Sequence, residues 1–121
     1  MWKWLTVVAC VITTGAALAA EHRSDGNELI LQCRFITEAT VQPTDKQEAF
    51  KIGYDTGLCR GLIEAYYYAM RAVGKVCTPD GVIHTQTWRV VKKFLDDNPT
   101  LLHKHRGVLI MTALIDAWPC K

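Results

Sequence analysis

Few side chains in this 121-residue chain are capable of chemistry, and their spacing limits what that chemistry can be. Cys33, Cys59, Cys77 and Cys120 stand far apart, with no C-x2-C knuckle of the kind that seats a structural zinc ion. An even set of widely spaced cysteines reads instead as two disulfides in an oxidising compartment, and four cysteines allow three pairings. His103 and His105 are two residues apart, flanked by Lys104 and Arg106. On a helix such a pair points in different directions and does not face one metal ion. His84 lies just after a turn, and Asp96-Asp97 lie at the end of a helical pattern, where solvated side chains are expected. Glu64 follows Arg60 by four residues, the spacing of an intrahelical ion pair worth a few tenths of a kcal/mol. G-x-S-x-G, H-E-x-x-H, a glycine-rich phosphate loop and a Cys–His nucleophile pattern are all missing from the sequence. The reading is a protein with no catalytic residues, no metal ligands and no cofactor.

Binding is the better use of the remaining side chains. Tyr66, Tyr67 and Tyr68 are consecutive, so on a helix they face three directions and at least one meets solvent. The helical wheel selects Tyr67, on a polar line with Arg60, Glu64 and Arg71. Tyrosine and arginine are enriched at protein interfaces. Tyr67 and Arg71, with the basic segment His103, Lys104, His105 and Arg106, are therefore the candidate partner-binding residues.

The element that must position these groups is a stretch from about Gln47 to Val73. Gly53, Gly57, Gly61, Ala65 and Ala69 recur there every four residues, a stripe along one helix that allows close approach of another backbone. A glycine inside a helix costs roughly 1 kcal/mol relative to alanine, so three of them need a packing reason. The apolar arc covers more than half the circumference, and a helix of that kind is expected to be gripped by shorter ones on several sides. Thr44 with Gln47 forms a capping-box pattern, with Asp45 as the alternative cap, and Gly74 suits the C-terminal end.

Before this helix, residues 20–27 are polar and read as loose, and Leu29, Ile30, Cys33, Phe35 and Ile36 suggest a first short helix with Cys33 inward. After it, Pro79-Asp80-Gly81 is a turn, and Thr85 is placed to cap a helix whose apolar face is Trp88, Val91, Phe94 and Leu95. Asn98-Pro99 stops that helix and can start the last, which Gly107 kinks or divides and Pro119 ends. No strand-like alternation occurs. The fold class is all-α, with about four helices around the central Gly/Ala-striped helix and two disulfides.

Lys3, the uncharged run Leu5–Leu18 and the Ala17-Leu18-Ala19 site read as a secretory signal peptide over residues 1–19. Residues 20–121 are then one domain, exported to the periplasm, with no membrane attachment after cleavage. Fourteen Lys and Arg face twelve Asp and Glu, and only Lys3 leaves with the signal. So balanced a charge argues against a nucleic-acid partner.

An ordered series of motifs resembles a known family. Gly57-Leu58-Cys59-Arg60-Gly61-Leu62-Ile63-Glu64-Ala65, Cys77-Thr78-Pro79-Asp80-Gly81-Val82 and Ala113-Leu114-Ile115-Asp116-Ala117-Trp118-Pro119-Cys120 are similar to motifs of the Tai/Rap immunity proteins of type VI secretion systems. Departures occur at Leu62, where that family prefers an aromatic residue, at Thr78, where it often has an aliphatic one, and at Trp118, where it has Phe. The resemblance implies a small exported helical protein, usually dimeric, that neutralises a toxic effector, commonly a peptidoglycan amidase, by steric occlusion. The matched motifs are structural, so no binding residue follows from them. The alternative is a small periplasmic chaperone or stress protein, similar to the helical, disulfide-bonded acid chaperones.

Two expectations follow from antiparallel helices with short loops. The last helix returns its end to the level of Cys77, which pairs Cys77 with Cys120 and leaves Cys33 for Cys59. The apolar excess of the central helix, and of the last at Leu109-Ile110-Met111 and Leu114-Ile115, calls for a homodimer that buries it.

Overall fold

The computed structural model describes residues 24–121. The expected signal peptide falls outside the described residues. Four α-helices follow in chain order: α1 (Gly26–Gln32), α2 (Lys46–Ala72), α3 (His84–Asp97) and α4 (Arg106–Ala117), with a 3-10 turn at Pro99–Leu101 between the last two. Extended pairing among the described residues is confined to two isolated bridges, Asp25 with His105 and Val76 with Pro119. The protein is all-α.

Each end of α2 has a local cause. Asp45 is the N-cap, its carboxylate accepting from the Glu48 N–H at 2.8 Å. The Glu48 carboxylate turns back to accept from both the N–H and the hydroxyl of Thr44, each at 2.6 Å. The Thr44 hydroxyl is the main reason that this carboxyl is held below its ordinary pKa. Asp45, not the Thr44–Gln47 box, therefore starts the helix. At the other end Gly74 takes a φ of +70°, its N–H reaches the Arg71 carbonyl, and the Lys75 N–H reaches the Met70 carbonyl. That Schellman closure needs a residue without a Cβ penalty, which is why Gly74 stands there.

Asp55, Cys59, Ile63 and Tyr67, spaced by four, form the buried line of α2. Against it pack Leu29, Cys33 and Ile36 from α1 and the residues just after it, Val91 and Leu95 from α3, and Leu109, Ile110, Ala113 and Leu114 from α4. Burying each of the larger aliphatic side chains contributes about 1.5–3 kcal/mol, so this one cluster carries the fold. The disulfides are Cys33–Cys59 and Cys77–Cys120, the pairing expected from the antiparallel topology. The first lies inside the core, with both cysteines almost fully buried. Cys77 of the second is exposed, and the Cys77 N–H donates to the Trp118 carbonyl at 2.9 Å beside it.

Several local expectations are corrected. Residues just before α1 are not loose. Asp25 caps α1, and the N–H groups of Gly26 and Asn27 donate to the carbonyls of Lys104 and Leu102, both at 3.0 Å. These bonds come from a distant segment, so local polarity gives no hint of them. Ile83, not Thr85, precedes α3, without a side-chain cap. Asn98 closes α3 by donating from its side chain to the Phe94 carbonyl at 2.7 Å. The last helix begins only at Arg106, where His105 Nδ1 accepts from the Gly107 N–H at 3.1 Å.

The largest difference concerns the Gly/Ala stripe. A Cβ added at Gly53, Gly57 or Gly61 would meet nothing within 4 Å. Ala65, Ala69 and Ala72 are exposed as well, as are Phe50 (76%), Tyr54 (59%) and Tyr68 (53%). The reason is a mismatch of length. With 27 residues α2 outreaches α1, α3 and α4, which have 7, 14 and 12, and all three gather on the side that holds Cys59 and Ile63. The stripe faces away from every other helix of its own chain.

Candidate functional site

The three tyrosines separate into three environments. Tyr66 is half-buried with its ring against Gly107, so close that a Cβ on residue 107 would overlap the tyrosine ring. Tyr67, expected on the exposed line, is 5% exposed. It lies two turns beyond Cys59 on the buried line, and its hydroxyl pairs with the Thr78 hydroxyl at 3.0 Å. Tyr68 is the exposed member. Its ring sits edge-on to Tyr67 at 5.5 Å, and its hydroxyl lies 3.5 Å from His84 Nε2. The polar line misleads because a tyrosine hydroxyl can be satisfied indoors by a single partner.

Arg71 is exposed, with its guanidinium 5.5 Å from the Tyr67 ring centroid, so it partly roofs that buried ring. Arg60 is half-buried. It stacks on Trp88 at 4.4 Å and donates to the Ile36 carbonyl at 3.4 Å, joining α2, α3 and the segment after α1. A planar guanidinium performs both contacts at once and an ammonium does not. Arg60→Lys is accordingly expected to lower stability by about 1 kcal/mol. An unchanged urea midpoint would show that the stacking contributes nothing.

Glu64 does not pair with Arg60. Its Oε1 lies 3.5 Å from His84 Nδ1, so the partner is on α3 rather than on its own helix. Glu64, His84 and Tyr68 thus form a small polar cluster, with both of its contacts at the edge of hydrogen-bonding distance. The cluster lies at the surface, with His84 and Tyr68 exposed and Glu64 half-buried. A shallow depression lies elsewhere, between Thr37-Glu38 and the α3 residues Arg89, Lys92 and Asp96. Its charges are largely committed locally, as in the Lys92–Asp96 pair at 2.8 Å. Among the described residues no group of three or more His, Cys, Asp or Glu is placed to hold a metal ion, and no helix is long and apolar enough to cross a membrane.

The basic segment forms a tight turn before α4. His103, Lys104 and His105 are exposed and Arg106 is half-buried. Its backbone is occupied: the carbonyls of Leu102 and Lys104 receive the first N–H groups of α1, and the Arg106 N–H donates to the Ser24 carbonyl at 2.8 Å. The result is a rigid turn that presents three side chains outward. The Arg71 guanidinium lies over the Tyr67 ring, whereas the turn is bonded to Ser24 and the start of α1. The exposed aromatic row of α2, Phe50, Tyr54 and Tyr68, was missed by sequence reasoning, although its spacing from the glycine stripe was visible.

These features define a class: a small helical scaffold braced by two disulfides, with its polar chemistry on the outside and no built catalytic pocket among the described residues. The Rap1a immunity protein family model matches residues 25–120, and the chain belongs to that family. No curated protein and no solved structure matches it.

Proposed function

We propose that this protein is a periplasmic immunity protein that binds a secreted toxic effector, a peptidoglycan amidase delivered by type VI secretion, and occludes its cleft. The observation that carries the reading is the match to the immunity family over nearly the whole described chain. The scaffold is consistent with it. An inhibitor that binds by shape loses affinity when its surface must be ordered on contact, and two cross-links around α2 limit that cost. In this reading residues 1–19 are removed on export, the remaining domain acts without catalysis, and it works as a homodimer. The contact groups are Arg71 and the outward side chains of the His103–Arg106 turn, with Tyr67 supporting Arg71 from beneath rather than touching the partner.

Co-expression decides it. The hydrolase encoded beside this protein is exported to the periplasm with and without it, and growth is followed. The expected result is lysis with the hydrolase alone and normal growth with both. Equal lysis in the two cultures, or a neighbouring gene that encodes no toxin, would overturn the reading.

A further inference from the structure

The two disulfides stand in opposite environments. Cys33 and Cys59 lie inside the main cluster, almost closed to solvent. Cys77 is exposed and Cys120 half-buried, beyond the C-terminal ends of α2 and α4. Disulfide exchange requires an attacking thiolate to reach a sulfur, so access separates the two bonds. A thiolate reaches the outer bridge in the folded protein. It reaches the inner one only after the core opens.

The outer bridge holds a strap, residues 77–82, that joins α2 to α3. Among the described residues the strap has one backbone hydrogen bond, from the Cys77 N–H to the Trp118 carbonyl at 2.9 Å. Val76, 2% exposed, anchors its near end, and the start of α3 anchors the far one. Its other fixed point is Thr78, whose hydroxyl pairs with that of Tyr67 at 3.0 Å. The buried Tyr67 ring in turn lies under the Arg71 guanidinium. A line of contacts therefore runs from the bridge through Thr78 and Tyr67 to Arg71.

We propose that Cys77–Cys120 is a thiol-exchange site which a dithiol opens, and that opening it loosens the strap and unseats Arg71 while Cys33–Cys59 keeps the helices joined. The consequence for a toxin rests on the reading of Arg71 as a contact group, whereas the exchange does not. The reaction has two steps. A thiolate of the dithiol attacks the exposed Cys77 sulfur, the bond to Cys120 breaks, and Cys120 leaves as a thiolate that takes up a proton. The second thiol of the reductant loses its proton and attacks the mixed disulfide. That closes the reductant's own disulfide and returns Cys77 as a thiol after protonation. The dithiol gives up two electrons and the bridge accepts them.

Two hydrogen bonds then remain on the strap, at Cys77 and Thr78. When Thr78 moves away, the Tyr67 hydroxyl is left inside without that partner, and the ring turns outward to recover one from water. Arg71 loses the ring it lies against. Neither Cys77 nor Cys120 belongs to the central cluster, so the packing of the four helices is retained. In this way the redox state of the surroundings sets the shape of one contact surface without unfolding the protein.

The test has three readouts. The oxidised, processed protein is titrated with dithiothreitol, capped with N-ethylmaleimide and mapped by peptide mass. Cys77 and Cys120 are expected to be capped about 100-fold faster than Cys33 and Cys59. Both bridges opening together, or the inner one first, would overturn the exchange site. The second readout compares nitration by tetranitromethane in the wild type and in the Cys77→Ser/Cys120→Ser variant. Tyr67 is expected to react about tenfold faster in the variant, with the exposed Tyr68 as internal control and the helical circular dichroism unchanged. Equal reactivity of Tyr67 would overturn the switch. Loss of the helical signal would do so too, because the bridge would then brace the whole fold. The third readout is affinity for the hydrolase encoded beside this protein. The variant is expected to bind about tenfold more weakly than the oxidised wild type. Equal affinity would overturn the link to Arg71. A wild type that does not bind the hydrolase would overturn the immunity reading instead, and the thiol map and the nitration still decide the switch.

Discussion

Replacing Cys33 and Cys59 together with alanine is expected to remove about 3.5 kcal/mol of stability, and more once packing is counted. The bond closes a segment of 26 residues, and loop-closure entropy alone assigns about 3.5 kcal/mol to a loop of that size. Cys77–Cys120 closes 43 residues, for which the same argument gives about 4 kcal/mol. On loop length alone the second bridge matters more. Burial reverses the order. Cys33 and Cys59 are 1% and 0% exposed inside the main cluster, so deleting their sulfurs also leaves a void between α1 and α2. At Cys77 solvent fills the space instead. Guanidinium unfolding of the two double-alanine proteins under oxidising conditions decides between these views. If the Cys77/Cys120 variant is the less stable of the two, core packing around the first bridge has been overestimated.

Gly26→Ala is expected to destabilise the protein by about 2–3 kcal/mol, although helix propensity alone predicts a gain near 1 kcal/mol. Gly26 is the first residue of α1, an unobjectionable place for alanine. A Cβ there would stand 2.9 Å from both the Cα and the carbonyl oxygen of Leu102 and would overlap the Leu109 side chain. A side-chain tip can swing aside, but backbone cannot move without disturbing its own bonds. The Gly26 and Asn27 N–H groups donate to that same segment, so displacing it also weakens the capping of α1. Thermal unfolding with Gly53→Ala as control makes the comparison direct, since residue 53 is open and only propensity acts there. An equal rise in midpoint for both variants would show that the α1–Leu102 contact is not tight in solution.

The positions of α2, α3 and α4 were legible because each rests on local signals. Asp45 lies one residue from the expected cap, and Gly74 stands where the helix must reverse. Val91 and Leu95 are buried as their spacing implies. The disulfide pairing was also legible, because short antiparallel connections leave few ways to bring four cysteines together. The start of α1 was not, since the partners of Gly26 and Asn27 are more than seventy residues away. Nor was the pairing of Glu64 with His84, twenty residues distant, when Arg60 stood four residues off on the same helix.

What the sequence determined by itself was therefore the class: an all-α protein, two disulfides, and the order of motifs that marks an immunity family. Periodicity and cysteine count suffice for the fold class and the bridges because they are local signals, whereas the family rests on the matched motifs alone. What only the tertiary structure decided was which side of α2 is inside. Apolar residues surround that helix on most of its circumference, so the pattern alone permits several orientations. The Cys33–Cys59 bond and the core around Ile63 select one of them. That choice buries Tyr67, exposes Tyr68, and turns the glycine stripe outward. A helix surface has a direction only relative to its neighbours, and the neighbours here are set by contacts between residues far apart in the chain.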